Sequence, residues 1–115
     1  MTVVNVLPVL MVDDFDAGVT WYEALFGRPP DRRPMDGCVE WRLAEGGGIQ
    51  VYRAADAAGA ATAIIGVDDV DAFVTELAGR GISAAAFDVP SGQFRLATIQ
   101  DPAGNTITIA QELAP

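Results

Sequence analysis

Apolar and polar positions alternate in the same way in two stretches of the chain. Each stretch opens on an apolar run, VVNVLPVLMV at 3–12 and TAIIGV at 62–67, short enough for a strand and followed at once by paired aspartates. Asp13 or Asp14, and Asp68 or Asp69, are natural helix N-caps, because a carboxylate accepts from the free N–H groups of a first turn. Beyond the caps, Phe15, Val19, Tyr22 and Phe26 fall on one helical stripe, as do Val70, Val74, Leu77 and Ala78. Gly27 and Gly81 supply helix stops, and Pro29 follows the first.

The two stretches are copies of one unit. VDDFDAGVT at 12–20 and VDDVDAFVT at 67–75 match at seven of nine positions with a constant offset of 55. After each helix the period changes to two. CVEWRLA and IQVYRA flank an EGGG turn, and SAAAFDV, FRLATIQ and NTITIAQ are separated by PSG and DPAGN. RRPMDG is punctuated enough to allow only a short edge strand. The expected architecture is α+β, two βαβββ modules in one 115-residue domain, with module one over 1–54, an Ala-rich connector over 55–61 and module two over 62–115. Hairpins within each module imply a mixed, mostly antiparallel sheet with a helix on one face and an uncovered face opposite.

Composition narrows the function. The formal net charge is -9, with seven basic residues, all of them arginine, so no basic cluster exists to meet nucleic acid, and a cationic or neutral small molecule is the better partner. The apolar N-terminus has neither a basic leader nor the ~20 apolar residues of a membrane span, so no membrane association is expected and a cytoplasmic location is. The single Cys38 cannot form an internal disulfide and reads as a buried structural thiol.

The strand ending in VDD that runs into VTWYEALFG, its repeat VDDVDAFVTELAGRGI and the closing DPAGNTITI resemble the vicinal oxygen chelate superfamily, which holds glyoxalase I, extradiol dioxygenases and bleomycin resistance proteins. The resemblance spans nearly the whole chain and implies paired modules whose sheets curve into a cup. It also implies metal ligands on the first and last strands of each module, at positions that here carry Leu7, Gln50, Thr62 and Thr108. One neutral amide and two hydroxyls are a poor donor set for a divalent ion, and the chain contains no histidine. Glu112 lies about 13 Å beyond Thr108 along an extended strand and does not substitute. No metal or other cofactor is therefore expected.

Tyr52 shares a strand face with Gln50, and together with Trp41, Phe94, Leu7, Thr62 and Thr108 it forms the expected ligand-binding set, an aromatic concavity with a few polar groups. Glu40 with Arg42, and Asp88 with Arg95, read as solvated cross-strand charges rather than as an acid, a base or an anion clamp. Trp21 reads as core or dimer contact, and the acidic clusters at 13–16 and 68–71 as caps. The leading expectation is a metal-free binding protein that encloses a cationic or aromatic drug or metabolite without making or breaking a bond, as a homodimer resembling the bleomycin resistance proteins. The alternatives are an enzyme, metal-independent or with an atypical site and using Glu40 or Asp88 as a base, and a regulatory or accessory dimeric domain.

Overall fold

The computed structural model describes residues 1–113; the expected end of module two at 115 lies outside the described residues. Module one comprises β1 (Val9–Val12), α1 (Phe15–Phe26), β2 (Arg32–Met35), β3 (Cys38–Ala44) and β4 (Gly47–Arg53). Module two comprises β5 (Thr62–Gly66), α2 (Val70–Gly79), β6 (Phe87–Asp88), β7 (Phe94–Gln100) and β8 (Thr106–Glu112). Strand order is β1-β4-β3-β2 in one sheet and β5-β8-β7-β6 in the other, the same topology twice. In each sheet the first strand pairs in parallel with the last and the remaining neighbours are antiparallel, as hairpins dictate.

Local chemistry places the helices where the pattern does. The second aspartate of each pair is the cap: Asp14 accepts from Ala17 N–H and Asp69 from Ala72 N–H, both at 3.0 Å. Gly27 ends α1 with φ of 72°, a left-handed conformation that glycine adopts without a Cβ clash. Val19, Tyr22 and Leu25 of α1, and Val70 and Leu77 of α2, are buried against Leu10, Val12, Trp41, Ile49, Val51, Ile99, Ile107 and Ile109 in one core. Arg80, just past α2, donates to the last carbonyls of α1, those of Ala24 and Leu25, so a cation of module two sits at the negative end of the module-one helix.

Two expected strands are shorter than their apolar runs. Only Val9–Val12 of the 3–12 run forms a strand, with an isolated bridge between Val6 and Gly47, since Pro8 has no N–H to give to a ladder. Of SAAAFDV only Phe87 and Asp88 pair. Small alanine side chains give the preceding segment little to pack with on either face.

The DPAGN turn joins the modules. The Asp101 carboxylate, 4% exposed, accepts from the Tyr22 hydroxyl at 2.7 Å, from the N–H groups of Ala103, Gly104 and Asn105 at 2.9 Å each, and from Asn105 Nδ2 at 2.8 Å. Asn105, fully buried, also donates to Met11 O in β1 and accepts from Ala61 N–H in the connector. Burial and the neighbouring Asp101 carboxylate push the Tyr22 phenol far above its ordinary value, so it remains a donor.

Candidate functional site

Side chains alternate across each sheet, so the pairing register decides which residues share a face. In module one Leu10, Val12, Val39, Trp41, Ile49 and Val51 face α1 and are buried. Val9, Met11, Cys38, Glu40, Arg42, Gln50 and Tyr52 face away from it. In module two Ala63, Ala97, Ile99, Ile107 and Ile109 face α2, leaving Thr62, Ile64, Phe94, Leu96, Thr98, Thr106 and Thr108 on the open side.

The register thus brings Leu7, Gln50 and Tyr52 to the open face of one sheet and Thr62, Phe94 and Thr108 to the open face of the other. Leu7 precedes β1 but continues its alternation and packs over Gly48, whose added Cβ would lie 3.1 Å from a Leu7 methyl and 2.2 Å from the Trp41 carbonyl oxygen. Trp41 is the exception to the expected set. It is fully buried on the helix side, its indole donates to Arg28 O at 3.0 Å, and its ring lies 5.4 Å from that of Phe26. An indole with every neighbour supplied by the core is not available to a ligand.

Glu40 departs furthest from the solvated charge that its sequence context suggests. It is 7% exposed and lies at the centre of a polar chain. Arg32 Nε and Nη2 donate to one carboxylate oxygen at 3.0 and 2.7 Å, and Gln50 Nε2 donates to the other at 2.9 Å. The Arg32 bonds and then the Gln50 bond hold the carboxyl below the ordinary range, more than offsetting the rise that burial alone would cause. This environment suits a fixed anion and not a general base, which needs a raised value near neutrality. β2 carries the decisive partner: Arg32 pairs with Glu40 in register across the edge hairpin, and spacing alone, without that register, does not single it out.

Among the described residues the equivalent surface of module two has no such network. Thr98 and Thr108 place their hydroxyl oxygens 3.5 Å apart, Ile64 stands 72% exposed beside Thr108, and Phe94, 40% exposed, lies four residues from Thr98 on the same face, opposite Glu112. Arg95 bonds Asp88 and Asp71 at 2.8 Å each, on the helix side of the sheet, and lowers the Asp88 carboxyl pKa. Burial pushes the Cys38 thiol up, against any thiolate role.

Two of the cavities that border these faces bear on the site. One of about 20 Å³, the size of a single water site, adjoins Leu7, Arg32 and Glu40. The other, of about 260 Å³, follows the seam between modules and is lined by apolar residues including Val6, Pro8, Ile49, Ile64 and Ile65. Neither is lined by Gln50, Tyr52, Thr62 or Thr108, which stand on open sheet. Among the described residues no three His, Cys, Asp or Glu side chains come together as a metal-binding group, and Leu7, Gln50, Thr62 and Thr108 do not have the donor chemistry that a divalent ion needs.

Comparison with known proteins agrees with this architecture. The family model described as Glyoxalase/Bleomycin resistance protein/Dioxygenase superfamily matches residues 4–109. Among solved structures, a glyoxalase/bleomycin resistance protein from Catenulispora acidiphila is 30% identical, with 97% of this chain and 99% of that one covered and a TM-score of 0.88. An antibiotic binding protein from a Streptomyces species is 21% identical over 98% of each chain with a TM-score of 0.76. A lactoylglutathione lyase from Agrobacterium tumefaciens is 22% identical, with 91% of this chain and 90% of that one covered and a TM-score of 0.74. No curated protein matches.

Proposed function

The chain belongs to the glyoxalase/bleomycin resistance protein/dioxygenase superfamily, and from that premise we propose that it is a binding member, holding a small molecule on the open sheet faces without a metal and without chemical change. The observation that carries this reading is the donor set. The family positions that would ligate a metal hold Leu7, Gln50, Thr62 and Thr108 on those faces, and the nearest buried carboxylate, Glu40, has both oxygens engaged by Arg32 and Gln50. What remains is a surface for contact: the Tyr52 and Phe94 rings, exposed Ile64, and polar groups at Gln50, Thr62 and Thr108. The similarity to an antibiotic binding protein supports a drug or metabolite, the Tyr52 and Phe94 rings favour one with an aromatic body, and the net charge of -9 favours a cationic one.

A homodimer is part of this proposal. Exposed Val9, Ile64, Phe87 and Phe94 leave apolar area that a second copy would cover, and a flat sheet becomes an enclosing pocket only when something faces it. Among the described residues no helix is long and apolar enough to cross a membrane; a cytoplasmic location is part of the proposal. Sedimentation at micromolar concentration is expected to give twice the 12.1 kDa chain mass; a monomer would remove the dimer from the proposal.

Thermal unfolding against a panel of cationic aromatic compounds and natural-product antibiotics tests the binding itself. A binder present at 100 times its Kd adds about 2.7 kcal/mol of stability and raises Tm by several degrees. A panel without a hit would sink the sequestration reading. Manganese, nickel and zinc ions are expected to leave Tm unchanged, and stoichiometric retention of any of them would overturn the metal-free assignment.

A further inference from the structure

We propose that Glu40 is a positioning residue that locks the Gln50 amide with its carbonyl toward the open face, so that the site selects aromatic ligands bearing a hydrogen-bond donor. The inference rests on the binding reading above and adds to it the class of ligand.

A primary amide has a donor end and an acceptor end, and rotating it by half a turn exchanges them. For Gln50 that exchange is forbidden. Its Nε2 lies 2.9 Å from a Glu40 carboxylate oxygen, and an ionised carboxylate only accepts. Rotation would set the amide oxygen against that anion and forfeit a bond to a charged group in a buried place. The two Arg32 bonds to the other oxygen keep Glu40 ionised and fixed.

With one Nε2 proton held by Glu40, the amide cannot exchange its ends and Oε1 keeps its place. Among the described residues Oε1 accepts from no group, and because no buried side-chain oxygen or nitrogen among them lacks a partner, Oε1 reaches the surface. Tyr52 stands two residues along on the same face, half-buried, opposite Met11 and Cys38. A flat ring lying on Tyr52 with an O–H or N–H at its rim meets an acceptor that cannot turn away. An ether or a carboxylate facing Oε1 meets oxygen against oxygen, and the amide cannot turn to put its nitrogen there instead.

The test uses isotope-labelled full-length protein titrated with 2-naphthol and with 2-methoxynaphthalene, which differ in the donor alone. In the free protein a Gln50 side-chain amide proton is expected downfield of its solvent-exposed position. Wild type is expected to bind the naphthol about 3–10-fold more tightly than the ether, the worth of one hydrogen bond, with shifts at Gln50 and Tyr52. In Glu40→Gln, residue 40 offers either a donor or an acceptor, the Gln50 amide is free to turn, and the ratio is expected to fall toward one. Equal affinities in wild type, or an unchanged ratio in folded Glu40→Gln, would overturn the inference while leaving binding intact. Absence of open-face shifts from both compounds at millimolar concentration would overturn the binding reading together with it. Should Glu40→Gln fail to fold, the wild-type ratio and the Gln50 amide position decide the matter.

Discussion

The two modules share a strand order, a capped helix and a sequence repeat, yet they have divided their labour. On module one the surface away from the helix carries a charge, Glu40, sunk to 7% exposure and tied to Arg32 and Gln50. On module two the matching surface carries Ile64, Phe94 and a pair of threonines. Their last hairpins differ as well. In module one β3 and β4 are joined by Glu45 and Gly46 alone, whereas in module two the five residues DPAGN separate β7 from β8 and reach β1 of the other module. One copy of the repeat carries a polar face and the other carries the joint that ties the pair together. A duplicated fold thus frees each copy to specialise, because the helix-facing residues of β1, β3, β4, β5, β7 and β8 already supply the core.

The sharpest way to break this asymmetry is to remove the joint. Asp101→Ala leaves the Tyr22 hydroxyl, three backbone N–H groups and the Asn105 amide without their acceptor in a buried place. A loss of about 3–5 kcal/mol is expected in urea unfolding. Glu45→Ala in the corresponding module-one turn is expected to stay within about 0.5 kcal/mol, and similar losses at both turns would contradict the division. Tyr22→Phe removes one bond to Asp101 and spares the others, so a loss of about 1–2 kcal/mol is expected.

Acid separates the faces. The Glu40 carboxyl has a folded pKa below its unfolded one, so the stability it contributes is complete above the unfolded value and is lost as pH falls through the folded value. Urea midpoints of wild type are therefore expected to fall more steeply below about pH 4.5 than those of Glu40→Gln. Parallel profiles for the two proteins would show that the network does not hold the proton off. The smallest effect is expected at Arg95→Ala. Its bonds to Asp71 and Asp88 lie at the surface, where solvent and salt screen such pairs, so little stability is expected to be lost. A larger loss would place on module two an electrostatic role that only module one is assigned here.

Much of this was legible in the chain. The repeat at an offset of 55 predicts two equivalent modules, the aspartate pairs predict both helix starts, and the change of period predicts the hairpins. Parity along β4 places Gln50 and Tyr52 together. Trp41 and Glu40 were not legible in the same way. They are neighbours on one strand, and alternation says that they face opposite sides without saying which side is covered. The structure buries both, Trp41 beneath α1 and Glu40 beneath Arg32.

Sequence by itself determined the elements, because caps, stops and periodicity act over a few residues and need no knowledge of distant partners. It also carries the proposal of a metal-free site, since folding cannot turn Leu7, Gln50, Thr62 and Thr108 into anionic or imidazole donors. Tertiary structure alone decided which charges are sheltered and which turn is structural. Burial depends on what the register places across a strand and what another module lays on top, as Arg32 does for Glu40 and β1 does for Asn105. Those partners lie eight and ninety-four residues away, beyond the reach of any local pattern.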